Sequence, residues 1–260
     1  VVARVEQSDS PLYSVGDIVR SNIGWQEWAA ISAHDVSPVD TSFGPISTAV
    51  GVLGMPGLTA YHGLLDNLQP KAGDVLVVSA ASGAVGAVVG QLGKINGCFV
   101  IGTAGSDEKC DYIVDELGFD AAVNYKTQDI SAEFARLAPN GINTFFDNVG
   151  GAVFDAVLDN IAMNARIAIS GQISQYNAID VPQGPRNLAV LTRTRSRIQG
   201  FLVYDYLVQH EVSRQTMGCE ADDACLAEIA GALGVDEIIT GRLSEEADGR
   251  QLLIRRIDQG

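Results

Sequence analysis

Residues 75–86 constrain this chain more than any other stretch. Val75 to Ala80 reads VLVVSA, a continuous apolar run of the kind found in strands covered on both faces. Ala81-Ser82-Gly83-Ala84-Val85-Gly86 follows, and then Ala-, Val- and Leu-rich sequence with helical spacing as far as Ile95. A strand that turns through glycine directly into a helix presents the helix's first N–H groups, and their partial positive charge, to whatever lies over the turn. Alanine stands at the first glycine of a G-x-G-x-x-G pattern. Gly83 lets a pyrophosphate approach the backbone, and Gly86 lets the helix pack close to the strand. A tight strand-to-helix junction that holds no ligand would use the same turn, so the surrounding sequence has to decide.

Beyond the turn, short apolar runs alternate with amphipathic stretches. Phe99 to Thr103, Ala121 to Asn124, Thr144 to Asp147 and Arg166 to Ser170 are predicted strands. Asp107 to Leu117, with Ser106 as N-cap and Gly118 as stop, is a predicted helix, as are Ile130 to Leu137 and Ala152 to Asn160. This alternation predicts an α/β fold, a doubly wound parallel sheet with ligands at the carboxyl ends of its strands. Val52 to Tyr206 is taken as one such domain. The first 51 residues have another texture, with short β-type runs at Ile18-Val19 and from Trp25 to Ile31. Residues 207–260 have a third: an acidic helix from Glu220 to Leu233 and strands at Val235 to Thr240 and Gln251 to Ile257.

The tip of the second predicted strand bears on which nucleotide the turn would hold. An NAD site places a carboxylate about 20 residues past the turn, on the ribose hydroxyls. Here the tip reads Gly102-Thr103-Ala104-Gly105-Ser106, no carboxylate precedes Asp107, and Lys109 follows within one turn. A cation in place of an anion favours NADP(H).

Composition removes other classes. With 32 acidic and 17 basic residues the formal charge is −15, which repels phosphate backbones and argues against nucleic acid. No apolar run reaches the roughly 18 residues of a membrane helix, and no leader opens the chain, so no membrane is expected and the cytoplasm is the simplest location. Four cysteines in 260 residues make no disulfide framework. His34, His62 and His210 have no ligand spacing to one another, and no cysteine-dense zinc lobe occurs among residues 1–60, so no metal is expected.

Several segments then converge: GMPGLTAY at 54–61, SAASGAVGAVVG at 79–90, GSDEK at 105–109, NYK at 124–126, FDNVGG at 146–151 and GQISQYN at 171–177. In order and spacing they closely resemble the zinc-independent medium-chain dehydrogenase/reductases, in the branch of prostaglandin reductases and 2-alkenal (double-bond) reductases. The likeness is dense from Val15 to Tyr206. It implies a GroES-like lobe, here partial and confined to residues 1–51, packed on a Rossmann lobe with NADPH in the cleft. It also implies hydride transfer to the β-carbon of an α,β-unsaturated aldehyde or ketone. Matched by motif, Ser82, Gly83, Ala84, Val85 and Gly86 would face the pyrophosphate, while Ser106, Lys109 and Tyr125 would surround the 2′-phosphate. Asn148 would sit beside the nicotinamide, Met55 and Thr59 would line the cleft, and Tyr204 would wall the substrate pocket. Tyr176 would orient or protonate the substrate. The chemistry suits these types, because addition at the β-carbon makes an enolate whose oxygen needs donors, and a phenol, with a reference pKa of about 10, keeps its proton at neutral pH. The resemblance further implies homodimers paired along the sheet edge near Ile198 to Tyr204.

The pattern departs at both ends. In the family several dozen residues precede the counterpart of Val1, so the cleft is expected to lack a wall. After Tyr206 the likeness fades, and Met217 to Asp236 weakly resembles the amino-terminal domain of bacterial envelope proteins of the TolB or CsgG type. Three functions remain open: an enal or enone reductase, an NADP(H)-binding remnant without turnover, and a quinone reductase of the same superfamily.

Overall fold

The structure, a computed structural model, describes residues 1–182, 184–206, 237–246 and 249–258. It divides into two compact units, Val1–Val203 and Tyr204–Gly260.

The first unit is organised by a six-stranded sheet: β4 (Val75–Val78), β5 (Phe99–Ala104), β6 (Ala121–Asn124), β7 (Ile142–Asp147), β8 (Ile161–Ile169) and β9 (Arg197–Gly200). The spatial order is β6-β5-β4-β7-β8-β9 and every neighbouring pair is parallel. The order reverses between β4 and β7, which opens a crevice at their carboxyl ends, where open α/β sheets bind ligands. This is the Rossmann-type α/β architecture that the alternation of apolar and amphipathic segments predicts.

Strand alternation assigns two cores, one to each face. Leu76, Val78, Val100 and Phe146 pack with Ala60, Leu64 and Val89 on one side. Val77, Ile101, Phe145 and Ile167 pack with Phe134, Phe154 and Val157 on the other. Adjacent Phe145 and Phe146 are both fully buried, on opposite faces, and each contributes roughly 1.5–3 kcal/mol by leaving water. The helices that cover these faces are α1 (Met55–His62), α2 (Ala84–Ile95), α3 (Asp107–Asp111), α4 (Ile130–Leu137), α5 (Gly151–Asp159) and α6 (Ala189–Thr194). Asp129 caps α4 by accepting the Ala132 N–H at 3.1 Å.

Three expectations change. The segment after β5 is not one α-helix to Leu117. The short α3 widens into a π-helical turn, Tyr112–Glu116, which carries Ile113 wholly into the core. The run from Trp25 to Ile31 forms no strand. It has no ladder partner, and Trp25 and Trp28 are exposed, so β-propensity has neither pairing nor burial to act through. The amino-terminal sheet is instead β1 (Val2–Arg4), β2 (Ile18–Arg20) and β3 (Ser37–Pro38), antiparallel and in that order. In the second unit the two predicted strands are longer than their apolar cores. β10 (Glu237–Glu246) and β11 (Gly249–Asp258) pair antiparallel. The predicted helix Glu220 to Leu233, with Cys219 and Cys225, lies outside the described residues. Among the described residues no helix is long and apolar enough to cross a membrane.

Candidate functional site

The site is built along the carboxyl edge of β5, β4, β7 and β8. After β4 the chain enters the turn through Ala80, a non-glycine residue in the left-handed region with φ 48°. The Ala80 carbonyl accepts the Gly83 N–H at 2.9 Å, and the Ala81 N–H donates to Thr103 O at 3.1 Å, tying the turn to β5. Gly83 is the N-cap of α2. No side chain caps the helix and its first turn carries no acid. Its opening N–H groups are therefore offered outward as an anion site. A Cβ at Gly86 would lie 2.4 Å from Ala80 O, so only glycine lets α2 start this close to the strand. An open, uncapped helix start over a bare backbone fits a dinucleotide pyrophosphate.

The tip of β5 forms the next stretch. A Cβ on Gly105 would lie 2.6 Å from Tyr125 Oη and 3.3 Å from Lys126 Cε, so the phenol and this lysine lie across the place a side chain would occupy. Ser106 caps α3, its hydroxyl accepting the Lys109 N–H at 3.4 Å, and Lys109 itself is exposed. The structure thus brings Ser106, Tyr125 and the first turn bearing Lys109 together. Asp107, the first carboxylate past the tip, accepts a 2.6 Å hydrogen bond from Asn124 Nδ2.

Across the switch point, one buried carboxylate organises the loop after β7. Asp147 is fully buried and accepts the Ser79 hydroxyl at 2.8 Å and the Val149 and Gly150 N–H groups at 3.0 Å. Gly150 sits at φ 72°, which lets the chain fold back over the carboxylate. Ser79 Oγ accepts the Asn148 N–H at 2.7 Å, and Asn148 Nδ2 donates to Ser79 O at 2.9 Å. Asn148 is thereby locked beside the end of β4. Burial raises the Asp147 carboxyl above the ordinary 3.8, against the pull of those N–H groups and the Ser79 hydroxyl. A carboxyl raised in this way binds its proton more tightly folded than unfolded. Its stabilising contribution is fully present below 3.8 and declines as pH rises through the native value. The stability advantage of the wild type over Asp147→Asn is expected to be greatest below about pH 4 and to shrink toward neutrality, read by denaturant unfolding of both proteins across that range.

Tyr176 lies on the loop after β8, and this loop is stitched to the loop after β7. The Ile173 N–H donates to Asn148 O and the Ser174 N–H to Val149 O, both at 3.2 Å. The Tyr176 hydroxyl accepts the Gln172 N–H at 3.0 Å. A Cβ on Gly171 would meet both Tyr176 Oη, at 2.8 Å, and Asn148 O, at 3.6 Å, which places the phenol beside Asn148. Met55 and Thr59 stand one turn apart on α1, which packs against α2, and the Thr59 hydroxyl donates to Met55 O. Tyr204 is half exposed and belongs to the second unit. Motif matching passed over Ser79, Asn124, Lys126 and Asp147. All four stand inside or next to the motif segments, but their importance lies in hydrogen bonds and packing between distant strands, to which a linear pattern is blind.

A family profile described as zinc-binding dehydrogenase matches residues 84–218. The chain belongs to that family. Among the described residues no group of three His, Cys, Asp or Glu is placed to hold a metal ion. Cys98 and Cys110 are free thiols, and burial pushes the Cys98 thiol up to about 11. Within the medium-chain dehydrogenase/reductase superfamily, the chain is 44% identical to an NADPH-dependent curcumin reductase of Escherichia coli, over 82% of this chain and 64% of that protein. It is 47% identical to an NADP(+)-dependent 2-alkenal reductase of Nicotiana tabacum, over 79% of this chain and 60% of that one. The structure of CurA in complex with NADPH from Vibrio vulnificus superposes with a TM-score of 0.72 at 47% identity, covering 78% of this chain and 62% of the other. The chain spans about three fifths of the length of the curated relatives it matches.

Proposed function

We propose that this chain binds NADPH along the carboxyl edge of the sheet and reduces the carbon–carbon double bond of α,β-unsaturated aldehydes or ketones. The observation that carries this reading is a phenol, Tyr176, beside Asn148, which is bonded to Ser79 at the end of β4, the strand whose following turn opens α2 uncapped at Gly83. The names of the relatives, a 2-alkenal reductase and a curcumin reductase among them, support it.

NADPH, when bound, supplies the hydride. The N–H groups at the start of α2, reached over Ser82, Gly83, Ala84 and Val85, hold the pyrophosphate. Ser106, Lys109 and Tyr125 hold the 2′-phosphate, where a carboxylate would repel it. Asn148, fixed by Ser79 and Asp147, steadies the nicotinamide side. Met55 and Thr59 line the cleft from α1, and residues 1–51 contribute what the chain has of a substrate lobe. Tyr176 receives the Gln172 N–H on its oxygen, so its own O–H is free to point at the substrate carbonyl. It donates to that oxygen as enolate charge builds there, and the Gln172 N–H helps carry the charge left behind if the proton moves.

The test is the fall in absorbance of reduced nicotinamide when a short 2-alkenal is added to the protein and NADPH. Steady oxidation supports the reading. Binding of NADPH without turnover of any enal or enone would leave a nucleotide-binding protein, and turnover of quinones alone would move it to another reductase class.

A further inference from the structure

We infer that Lys126 is a second cation for the adenosine 2′-phosphate and that Asn124 is the residue that positions it. The inference rests on the NADPH reading above. Two observations about the β5 tip carry it.

The first is where the side chain goes. Lys126 belongs to the loop after β6, yet its Cε comes within 3.3 Å of the place where Gly105 would carry a Cβ, alongside the Tyr125 hydroxyl at 2.6 Å. The ammonium group is one bond further on. Among the described residues neither Lys126 nor Lys109 forms an ion pair, whereas Lys94 is bound by Asp120 and Arg136 by Glu133. Lys109 and Lys126 thus bring two cations outside any ion pair to one strand tip, where the carboxylate nearest the tip, Asp107, is engaged by Asn124 Nδ2. A phosphate dianion gains from both.

The second is what holds the loop. Asn124 is 4% exposed and every polar group of its side chain is engaged between the two strand ends. Its Oδ1 accepts the Lys126 backbone N–H at 3.1 Å, and its Nδ2 donates to Asp107 Oδ1 at 2.6 Å. Its own N–H donates to Gln128 Oε1 at 2.7 Å. One carboxamide therefore fixes the point from which Lys126 departs and holds the nearest carboxylate against β6.

Dissociation constants for NADPH, NADH and 2′,5′-ADP, measured by fluorescence titration or calorimetry, test this without any need for turnover. Lys126→Ala is expected to weaken NADPH and 2′,5′-ADP about tenfold while NADH stays within about twofold, and Lys126→Arg is expected to keep most of the affinity. Asn124→Ala should lower the NADPH-to-NADH preference in the same direction, because the lysine loses its anchor. Lys126 is exposed, so its variants decide the matter even if the buried Asn124→Ala protein fails to fold. Unchanged NADPH affinity in Lys126→Ala, with preference lost in Lys109→Ala, overturns this inference and leaves the cofactor reading standing. A wild-type protein that binds NADPH and NADH alike overturns both.

Discussion

Gly86→Ala is expected to cost about 1–3 kcal/mol of stability and to abolish saturable NADPH binding. The added methyl would lie 2.4 Å from Ala80 O, 2.9 Å from Ala81 Cα and 3.0 Å from Ala80 C, all of them backbone atoms. No side chain is available to swing away. The turn cannot open cheaply either, since Ala80 O is held by the Gly83 N–H and the Ala81 N–H is held by Thr103 O. Nor can α2 lift off, because Val89, Gly90 and Gly93 are buried along it, with Phe119 and Leu76 against the two glycines. The strain must therefore appear as a displaced helix start, which is the element proposed to meet the pyrophosphate. Thermal unfolding should fall by about 2–4 °C per kcal/mol lost. Gly83→Ala makes the comparison informative. Its methyl would sit 3.1 Å from Ala80 O at an exposed position, so it should spare most of the stability while still crowding the phosphate. A Gly86→Ala protein that melts and binds NADPH like the wild type would remove this turn from the cofactor site.

The contrast between these two glycines shows which features a sequence makes legible. The central strands, the helices α2, α4 and α5 and the turn could be read because each follows from local periodicity or from a residue type that only one backbone geometry demands. α2 begins at Ala84 and ends at Ile95, and α4 runs from Ile130 to Leu137, where their apolar spacing puts them. The π-helical turn at Tyr112 was not legible, because it is imposed by how Ile113 must reach the core rather than by the helix-forming sequence around it. Trp25 to Ile31 misled for the opposite reason: its residues favour a strand, but a strand exists only with a partner. Within the site, the part proposed for Lys109 follows from its place just past a strand tip without a carboxylate and the part proposed for Tyr125 from motif matching, and the structure sets the Tyr125 phenol against Gly105. Asp147 and Ser79 lie 68 residues apart and act through one hydrogen bond, a relation that neither residue announces alone.

Tyr176→Phe is expected to lower kcat for enal reduction about 100-fold while leaving the affinity for NADPH unchanged. The phenol is 64% exposed at the crevice, and its oxygen is fixed by the Gln172 N–H rather than by burial. Phenylalanine keeps the ring and removes its hydroxyl donor. The loop itself should hold its shape, since the Ile173 and Ser174 N–H groups still bind Asn148 O and Val149 O, and water can take over the Gln172 N–H. Melting should therefore move by no more than about 2 °C, which separates a lost donor from a lost fold. The partition between constants distinguishes the two roles open to this tyrosine. A donor that strengthens only as the enolate forms lowers kcat and kcat/KM together, with NADPH binding intact. A tyrosine that merely walls the cleft would raise KM, or weaken NADPH, and leave kcat alone. That second pattern would take Tyr176 out of the chemistry, and the proton would then have to come from solvent or from the cofactor's ribose hydroxyl.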